Sequence, residues 1–239
     1  MKKRIWELDA LRGVAIIGML AVHLVYDLTV LFDVWTLKNP TLFHFLRDWG
    51  GVVFLVLSGI CVTFGRRPVQ RGLAVFGCGL LISAVTGGMY LLGLAHRSIV
   101  IYFGVLHCLG LCMLLWPVFR NSPSWLLALL GVAAVAAGVY LTRNVRSSFA
   151  ILVPFGIPCN GFSSADYFPL LPNLGYFLLG AVLGRTLYPN QKSLFPGVEG
   201  RFAALRFLCW CGRKSLWIYL LHQPVFAGAI ALALALYSP

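Results

Sequence analysis

Seven long apolar runs dominate the sequence and restrict the chain to a membrane-spanning fold. A helix that crosses a hydrocarbon core of about 30 Å needs about 20 mostly apolar residues. By this criterion we predict spans near residues 11–33, 50–65, 72–94, 99–119, 124–142, 168–188 and 214–237. Only 11% of the residues are charged, against roughly a quarter in soluble domains. The sequence therefore predicts an all-α, polytopic membrane bundle of about seven helices, forming one domain over residues 1–239.

The Lys and Arg residues between the spans predict the orientation of the chain. With the N-terminus inside, fourteen of the 19 basic residues fall on the cytoplasmic side and five fall outside. Cytoplasmic loops of membrane proteins carry an excess of Lys and Arg, so we predict a cytoplasmic N-terminus. The net charge of +12 is explained in this way. We expect anionic membrane lipids and phosphate-bearing substrates as partners, and no nucleic acid.

The first span contains three ionisable residues, Arg12, His23 and Asp27. An ionisable group in hydrocarbon costs at least about 2.5 kcal/mol, so such groups usually serve a purpose. At 100° per residue, His23 lies about 20° from Arg12 round the helix, and Asp27 lies about 40° further on. An Asp one turn beyond a His can hydrogen-bond the ring and favour its action as a general base. The alternative is a purely structural polar contact between helices.

Two later spans carry further polar candidates. His107 lies near the middle of the fourth span, and His222 and Gln223 precede Pro224 in the last span, which begins near Ser215. A proline frees a backbone carbonyl that nearby polar side chains can satisfy. A structural role is therefore an equal alternative for His107 and His222.

The loops contain weaker candidates. Asp166 lies at the start of the sixth span, where capping of the helix is the structural alternative. Arg97, in an outer loop, could bind an anionic group of a substrate. We place His44, Arg47 and Asp48 in the outer loop before the second span. The spacings of the seven cysteines match no familiar zinc pattern, so we predict no metal site.

Several motifs resemble those of bacterial membrane proteins grouped with the heparan-alpha-glucosaminide N-acetyltransferase catalytic domain. The Arg12-x10-His23 spacing is also similar to a motif of the wider membrane acyltransferase superfamily. The motifs run through nearly the whole chain: Glu7-Leu-Asp9-Ala-Leu-Arg12-Gly13, His23 with Asp27, Phe103-Gly-Val-Leu-His107, Asp166-Tyr-Phe-Pro-Leu-Leu-Pro172, Gly180-x3-Gly184 and Ser215-Leu-Trp-Ile-Tyr-Leu-Leu-His222-Gln-Pro224.

The resemblance implies transfer of an acyl group, expected to be acetyl, to a hydroxyl or amine of a saccharide or glycolipid at the bacterial inner membrane. Acetyl-CoA or another acyl-CoA is then a co-substrate, and no cofactor is permanently bound. In this interpretation His23 is the general base, Asp27 orients it, and Arg12 contributes to catalysis. The phosphates of the acyl-CoA would be held by Arg12, Arg66, Arg67 and Arg71. The substrate would be bound by His107, His222, Gln223, Asp166, Arg97 and Ser215.

Other interpretations stay open at this point. In the eukaryotic relatives the position of His23 is Asn, and their catalytic His lies nearest to His44, which is therefore the alternative base. Direct transfer and a transient acyl-histidine are both compatible with a histidine at the site. A transporter or flippase would use intramembrane His and Asp residues as a proton relay. A haem-binding membrane protein would use two of His23, His107 and His222 as axial ligands. The Gly180-x3-Gly184 pair permits close helix packing within one chain or in a homo-oligomer.

Overall fold

Eight α-helices make up most of the part of the chain that the structure describes. The computed structural model describes residues 4–198 and 201–237, and this part of the chain contains no strand. Lys2 and Lys3, which contribute to the predicted orientation, lie outside the described residues. The helices are α1 (Trp6–Tyr26), α2 (Thr41–Val62), α3 (Pro68–Leu91), α4 (Val105–Phe119), α5 (Ser124–Asn144), α6 (Leu170–Leu187), α7 (Ala203–Arg213) and α8 (Ser215–Tyr237).

Six of these helices are long and apolar enough to cross a membrane: α1 with its π-helical continuation to Leu31, α2, α3, α5, α6 and α8. Helix α4 is also apolar but shorter, with 15 residues. The prediction of an all-α polytopic membrane bundle with about seven apolar helices is confirmed. The cytoplasmic location of the N-terminus stays a prediction.

The second spanning helix begins earlier than the sequence analysis placed it. Helix α2 begins at Thr41, so His44, Arg47 and Asp48 lie in its first turns, and their assignment to a loop was wrong. Arg47 Nε donates to Asp48 Oδ1 over 2.9 Å at the surface of the helix. A spanning helix extends beyond the hydrocarbon into the headgroup region, where charged side chains remain solvated. Polar residues therefore do not mark the end of such a helix.

Helix α7 lies between the last two predicted spans, in a segment for which no helix was predicted. Its apolar or small residues Leu205, Leu208, Cys209 and Gly212 follow the i, i+3, i+4, i+7 pattern of an amphipathic helix. This pattern was present in the sequence, but the criterion of about 20 apolar residues identifies only spanning helices. The helix is too short to cross a membrane.

The chain divides into two compact units, one of Met1–Phe54 with Asn190–Pro239 and one of Leu55–Pro189. In the first unit, α1 packs along α7 and also contacts α8. A Cβ atom at Gly13 of α1 would overlap the backbone carbonyl of Leu208. A Cβ atom at Gly212 of α7 would likewise overlap the carbonyl of Asp9. Glycine at these two positions is what allows α1 and α7 to approach so closely.

In the second unit, α3 packs on α4 and α5 packs on α6. Helix α2 approaches α6 closely at the predicted glycine pair. The backbone of Val56 lies against Gly180, and that of Ile60 lies against Gly184. The Gly180-x3-Gly184 pair therefore packs within the chain, which is the first of the two alternatives given for it.

The close crossing of α1 and α7 gives a test by substitution. Gly13→Ala should lower the stability of the protein by about 1–3 kcal/mol, because the added methyl meets backbone that cannot move independently. Gly18→Ala, on the same helix, is the matched control, since a Cβ there has open space around it. We expect Gly18→Ala to leave the Tm unchanged or slightly raised. Thermal unfolding in detergent measures both, and equal Tm values for the two variants would contradict the crossing.

Candidate active site

Four polar side chains from α1 and α8 meet inside the first unit, and we call them the polar cluster: His23, Asp27, His222 and Gln223. Gln223 Nε2 donates to Asp27 Oδ1 over 2.7 Å. The rings of His23 and His222 are in edge-to-face contact, with centroids 4.8 Å apart. Asp27 is the first residue of the π-helical turn Asp27–Leu31 and is completely buried. Such turns are rare and are frequently found at functional sites.

Both histidines of the polar cluster have the same tautomer. Nδ1 of His23 lies 3.0 Å from the carbonyl oxygen of Met19, and Nδ1 of His222 lies 2.5 Å from that of Tyr219. A carbonyl oxygen can only accept, so Nδ1 of each neutral ring must carry the proton. The lone pair is therefore on Nε2 in both rings, where it is available as an acceptor or a base.

Three acceptor atoms of the polar cluster are buried without a hydrogen-bond partner: Asp27 Oδ2, His222 Nε2 and Gln223 Oε1. A buried polar atom without a partner costs about 1–3 kcal/mol, and buried polar groups are nearly always paired. All three atoms are acceptors, since the amide nitrogen of Gln223 is already bonded to Asp27. The arrangement suits a ligand that supplies O–H or N–H groups.

The predicted hydrogen bond between Asp27 and His23 is not formed. Asp27 bonds Gln223 of α8, and His23 bonds the carbonyl one turn before it on α1. The spacing along α1 does place the two residues near each other. However, the geometry that decides their partners comes from α8, which follows almost 200 residues later in the chain. Asp27 can still act on the charge of His23, because the two groups are close enough to interact electrostatically.

Arg12 lies apart from the polar cluster. Eleven residues of α-helix separate Arg12 from His23, which corresponds to about 16 Å. Arg12 Nη1 lies 3.5 Å from Asp9 Oδ1, and Arg4 Nη1 lies 3.9 Å from Asp9 Oδ2. Arg12 is therefore paired with Asp9, which it shares with Arg4, and is less available for a phosphate than predicted.

Glu7, in the first turn of α1, was named from the sequence only as part of a motif and was given no role of its own. Glu7 is buried, and its carboxylate accepts hydrogen bonds from Ser193 Oγ at 2.8 Å and from the backbone N–H of Leu194 at 2.7 Å. Trp6 Nε1 donates to the carbonyl of Phe195 over 3.0 Å. These contacts anchor the segment before α7 to the start of α1.

Ser215 is the first residue of α8, seven residues before His222. Seven residues of α-helix correspond to about 10 Å, so Ser215 is not part of the polar cluster.

His107, in the second unit, has both ring nitrogens bonded to the protein. Nδ1 accepts from the backbone N–H of Gly104 at 3.2 Å, and Nε2 lies 3.3 Å from Ser83 Oγ. The hydroxyl of Ser83 donates to the carbonyl of Ile101 at 2.5 Å. The ring of His107 thus fixes the start of α4. The geometry favours the structural alternative for this residue.

Asp166 also holds the start of α4. Its Oδ2 accepts a hydrogen bond of 2.9 Å from the backbone N–H of Val105, the first residue of that helix. Capping by Asp166 was considered for α6, which follows it directly, but the helix it contacts is α4. The carboxylate binds a helix N-terminus, where a negative charge is favourable.

Axial haem ligation is not supported by the histidines within either unit. The rings of His23 and His222 touch each other edge to face, which leaves no room for a porphyrin between them. In the second unit, His107 has no free ring nitrogen.

Arg97 lies in an exposed turn, Arg97–Ile99, between α3 and α4. A hydrogen bond with Tyr102 raises the pKa of Arg97. The ring of Tyr102 contacts Phe162, which in turn contacts Tyr167. The hydroxyl of Tyr167 donates to the carbonyl of Val153 over 2.7 Å, and burial raises the pKa of Tyr167 to about 12. Arg97 is therefore a cation beside a cluster of aromatic rings.

A basic pocket lies at the start of α3 in the second unit. It has a volume of about 370 Å³ and is lined by Arg66, Arg67, Gln70, Arg71 and Ala74. No acidic residue lines it, and the three arginines form no ion pair with a described residue. The N-terminus of α3 adds to the positive potential. The pocket has the chemistry of a site for phosphate groups.

The spanning helices and the buried polar cluster together define a polytopic membrane protein with a polar site inside one of its units. Residues 4–224 match the family described as heparan-alpha-glucosaminide N-acetyltransferase, catalytic. The chain belongs to this family, which confirms the resemblance seen in its motifs and makes it a membrane protein of an acetyltransferase family. No significant match was found among curated proteins or among solved structures.

Proposed function

We propose that the chain is a membrane acyltransferase that moves an acyl group, normally acetyl, from acyl-CoA to a hydroxyl or amine of a saccharide or glycolipid. Membership of the acetyltransferase family supports the reaction class. The observation that carries the proposal is the polar cluster, where three buried acceptors have no partner and the ring of His222, which carries one of them, contacts the ring of His23. This arrangement matches an acceptor substrate, because hydroxyl and amine groups are hydrogen-bond donors.

In the proposed mechanism, His23 is the general base. Asp27 Oδ2, His222 Nε2 and Gln223 Oε1 accept hydrogen bonds from the acceptor substrate and position it. His23 Nε2 removes the proton as the acceptor's oxygen or nitrogen attacks the carbonyl carbon of the thioester. The C–S bond then breaks, and the departing thiolate of CoA takes the proton from His23. Asp27 stabilises the transient imidazolium through its charge.

The basic pocket supplies the proposed site for the donor. The phosphates of acyl-CoA carry several negative charges, and arginine binds phosphate through strong, charge-assisted hydrogen bonds. Arg66, Arg67 and Arg71 are exposed and have no competing acidic partner in the described part of the chain. They are better suited to this role than Arg12, whose charge is paired with Asp9.

A transfer assay with a panel of acceptors tests the proposed function. The purified chain is placed in liposomes with radiolabelled acetyl-CoA and one of three sugars: an amino sugar, a neutral sugar, or a fully O-methylated sugar. We expect labelled product with the first or second sugar and none with the third, which has no O–H or N–H to donate. If none of the three sugars gives labelled product and acetyl-CoA shows no saturable binding, the proposal of an acyltransferase is contradicted. That result would favour a transporter or flippase.

Substitution of the basic pocket separates binding of the donor from chemistry. The triple variant Arg66→Gln, Arg67→Gln, Arg71→Gln should raise the KM for acetyl-CoA by about 30-fold, because three exposed charged contacts of about 0.7 kcal/mol each add up to about 2 kcal/mol. The kcat should change little. Acetyl-pantetheine lacks the nucleotide phosphates, so its KM should be the same for the variant and the original protein. Arg143→Gln, at the exposed end of α5, is the control. An equal change of KM in this variant would contradict the proposal that the basic pocket binds acetyl-CoA.

A further inference from the structure

Helix α7 presents two aromatic side chains on its outer face. Phe207 is 56% exposed and Trp210 is 49% exposed, although both are large and apolar. Their rings lie almost parallel, at 18°, with centroids 6.3 Å apart. The opposite side of the helix, with Cys209 and Gly212, is buried. An exposed aromatic pair on a helix whose other side is already packed needs a partner outside the protein.

A row of basic residues runs beside this aromatic pair. Arg206 and Arg213 are seven residues apart, which places them about 20° from each other round the helix. Arg201 precedes α7 and Lys214 follows it, and all four side chains are exposed. Of the acids that α7 approaches on α1, Glu7 is engaged by Ser193 and Leu194, and Asp9 is engaged by Arg4 and Arg12 and interacts more weakly with Arg213 of the row. The basic row is therefore available to an external anion.

Two features of α7 place it at the boundary of the membrane: its link to α8 and its packing against α1. Lys214 is the only residue between α7 and the spanning helix α8, which begins at Ser215. In addition, α7 packs against Asp9 and Gly13 of α1. Gly13 lies seven residues after Trp6, where α1 begins, which corresponds to about 10 Å. An element within about 10 Å of the end of a spanning helix lies in the headgroup and upper acyl region.

We propose that α7 is an interfacial helix that binds anionic lipid headgroups. Phe207 and Trp210 enter the boundary between headgroups and acyl chains, as amphipathic ring systems do. Arg206, Arg213 and Lys214 bind the lipid phosphates through charge-assisted hydrogen bonds. The occupant is a lipid and not a soluble anion, because the basic row and the aromatic pair share one surface at this depth. This site goes beyond the proposed transfer reaction and does not depend on it.

Quenching by brominated lipids tests the proposal. The full chain is reconstituted in phosphatidylcholine vesicles containing a minor fraction of phosphatidylglycerol, with bromine carried near the headgroup by one lipid at a time. The contribution of Trp210 is the difference between the original protein and Trp210→Phe. We expect this contribution to be quenched by both lipids, and more strongly by brominated phosphatidylglycerol.

The variant Arg206→Gln, Lys214→Gln removes two of the charges, while Arg213 is left unchanged because its charge also acts on Asp9. At about fivefold in affinity for each basic residue near an anionic surface, the preference for phosphatidylglycerol should fall by about 25-fold at low salt. Quenching by brominated phosphatidylcholine should persist. The control variant Arg120→Gln, Arg143→Gln changes the net charge equally and should keep the preference.

Two results would overturn the proposal. If neither brominated lipid quenches Trp210, the outer face of α7 lies in water or against protein. If the preference for phosphatidylglycerol is absent, or is the same in both double variants, the basic row does not bind the headgroups. The test does not measure acetyl transfer, so its failure would leave the proposed enzymatic function unaffected.

Discussion

Replacing His23 by Ala is expected to lower the kcat for acetyl transfer by about 1000-fold, within the range of 10²- to 10⁴-fold that general base catalysis contributes. The free Nε2 of His23 is the base in the proposed mechanism, and Ala removes it. The KM for acetyl-CoA should change little, because His23 has no role in the proposed donor pocket. Steady-state kinetics with labelled acetyl-CoA measures both values, and added imidazole should restore part of the rate.

The control for this substitution is His44→Ala. His44 is exposed on the first turn of α2, and the ring of Phe43 is its aromatic neighbour. We expect His44→Ala to keep the original kcat. The opposite result, in which His44→Ala is inactive and His23→Ala is active, would identify His44 as the base and contradict the mechanism. An acyl group on His23 that forms and decays at the rate of turnover would instead establish the two-step route.

Asp27→Asn should lower kcat by about 100-fold, at the lower end of the effect of general acid–base residues. An amide has one acceptor and one donor, whereas Asp27 uses both oxygens as acceptors. If Asn keeps the bond from Gln223, its NH₂ group replaces the acceptor that Oδ2 presents to the substrate. The substitution also removes the charge that stabilises the imidazolium of His23. The KM for the acceptor should therefore rise together with the loss of kcat.

Asp33→Asn is the matched control for Asp27→Asn. Asp33 is exposed and has a positive φ of 49°, a conformation that Asn tolerates well. Asp33→Asn makes the same chemical change outside the polar cluster. We expect this variant to keep the kcat and the KM for the acceptor of the original protein. The Tm of Asp27→Asn should equal or exceed that of the original protein, since a buried carboxylate without a cation partner is removed. Unchanged kinetics in a folded Asp27→Asn variant would exclude Asp27 from the site.

The spanning helices could be predicted from the sequence because the membrane imposes a length and an apolar composition on each of them. Their ends could not be predicted as well, since the headgroup region accepts polar residues at the ends of helices. For this reason His44, Arg47 and Asp48 were placed in a loop. Helix α7 was missed because it has only 11 residues, so its amphipathic pattern did not meet the length criterion for a spanning helix.

The candidate site was predicted in part. The cost of ionisable groups in hydrocarbon singled out His23 and Asp27 on one helix and His222 on another, and the structure places these residues together with Gln223. Spacing along α1 could not show that Asp27 bonds Gln223, because that contact depends on how α8 packs. It also could not separate His107, whose ring is fully bonded within its own unit, from the histidines whose Nε2 atoms remain free.

A structure with a bound acceptor tests the central claim most directly, namely that the polar cluster holds the group to be acetylated. The chain would be determined with a saturating glycoside that is active in the transfer assay. We predict a hydroxyl or amine of the glycoside about 3 Å from at least two of Asp27 Oδ2, His222 Nε2 and Gln223 Oε1, with His23 Nε2 facing the same group. A glycoside bound elsewhere, with those three atoms bonded to other side chains of the protein, would contradict the account.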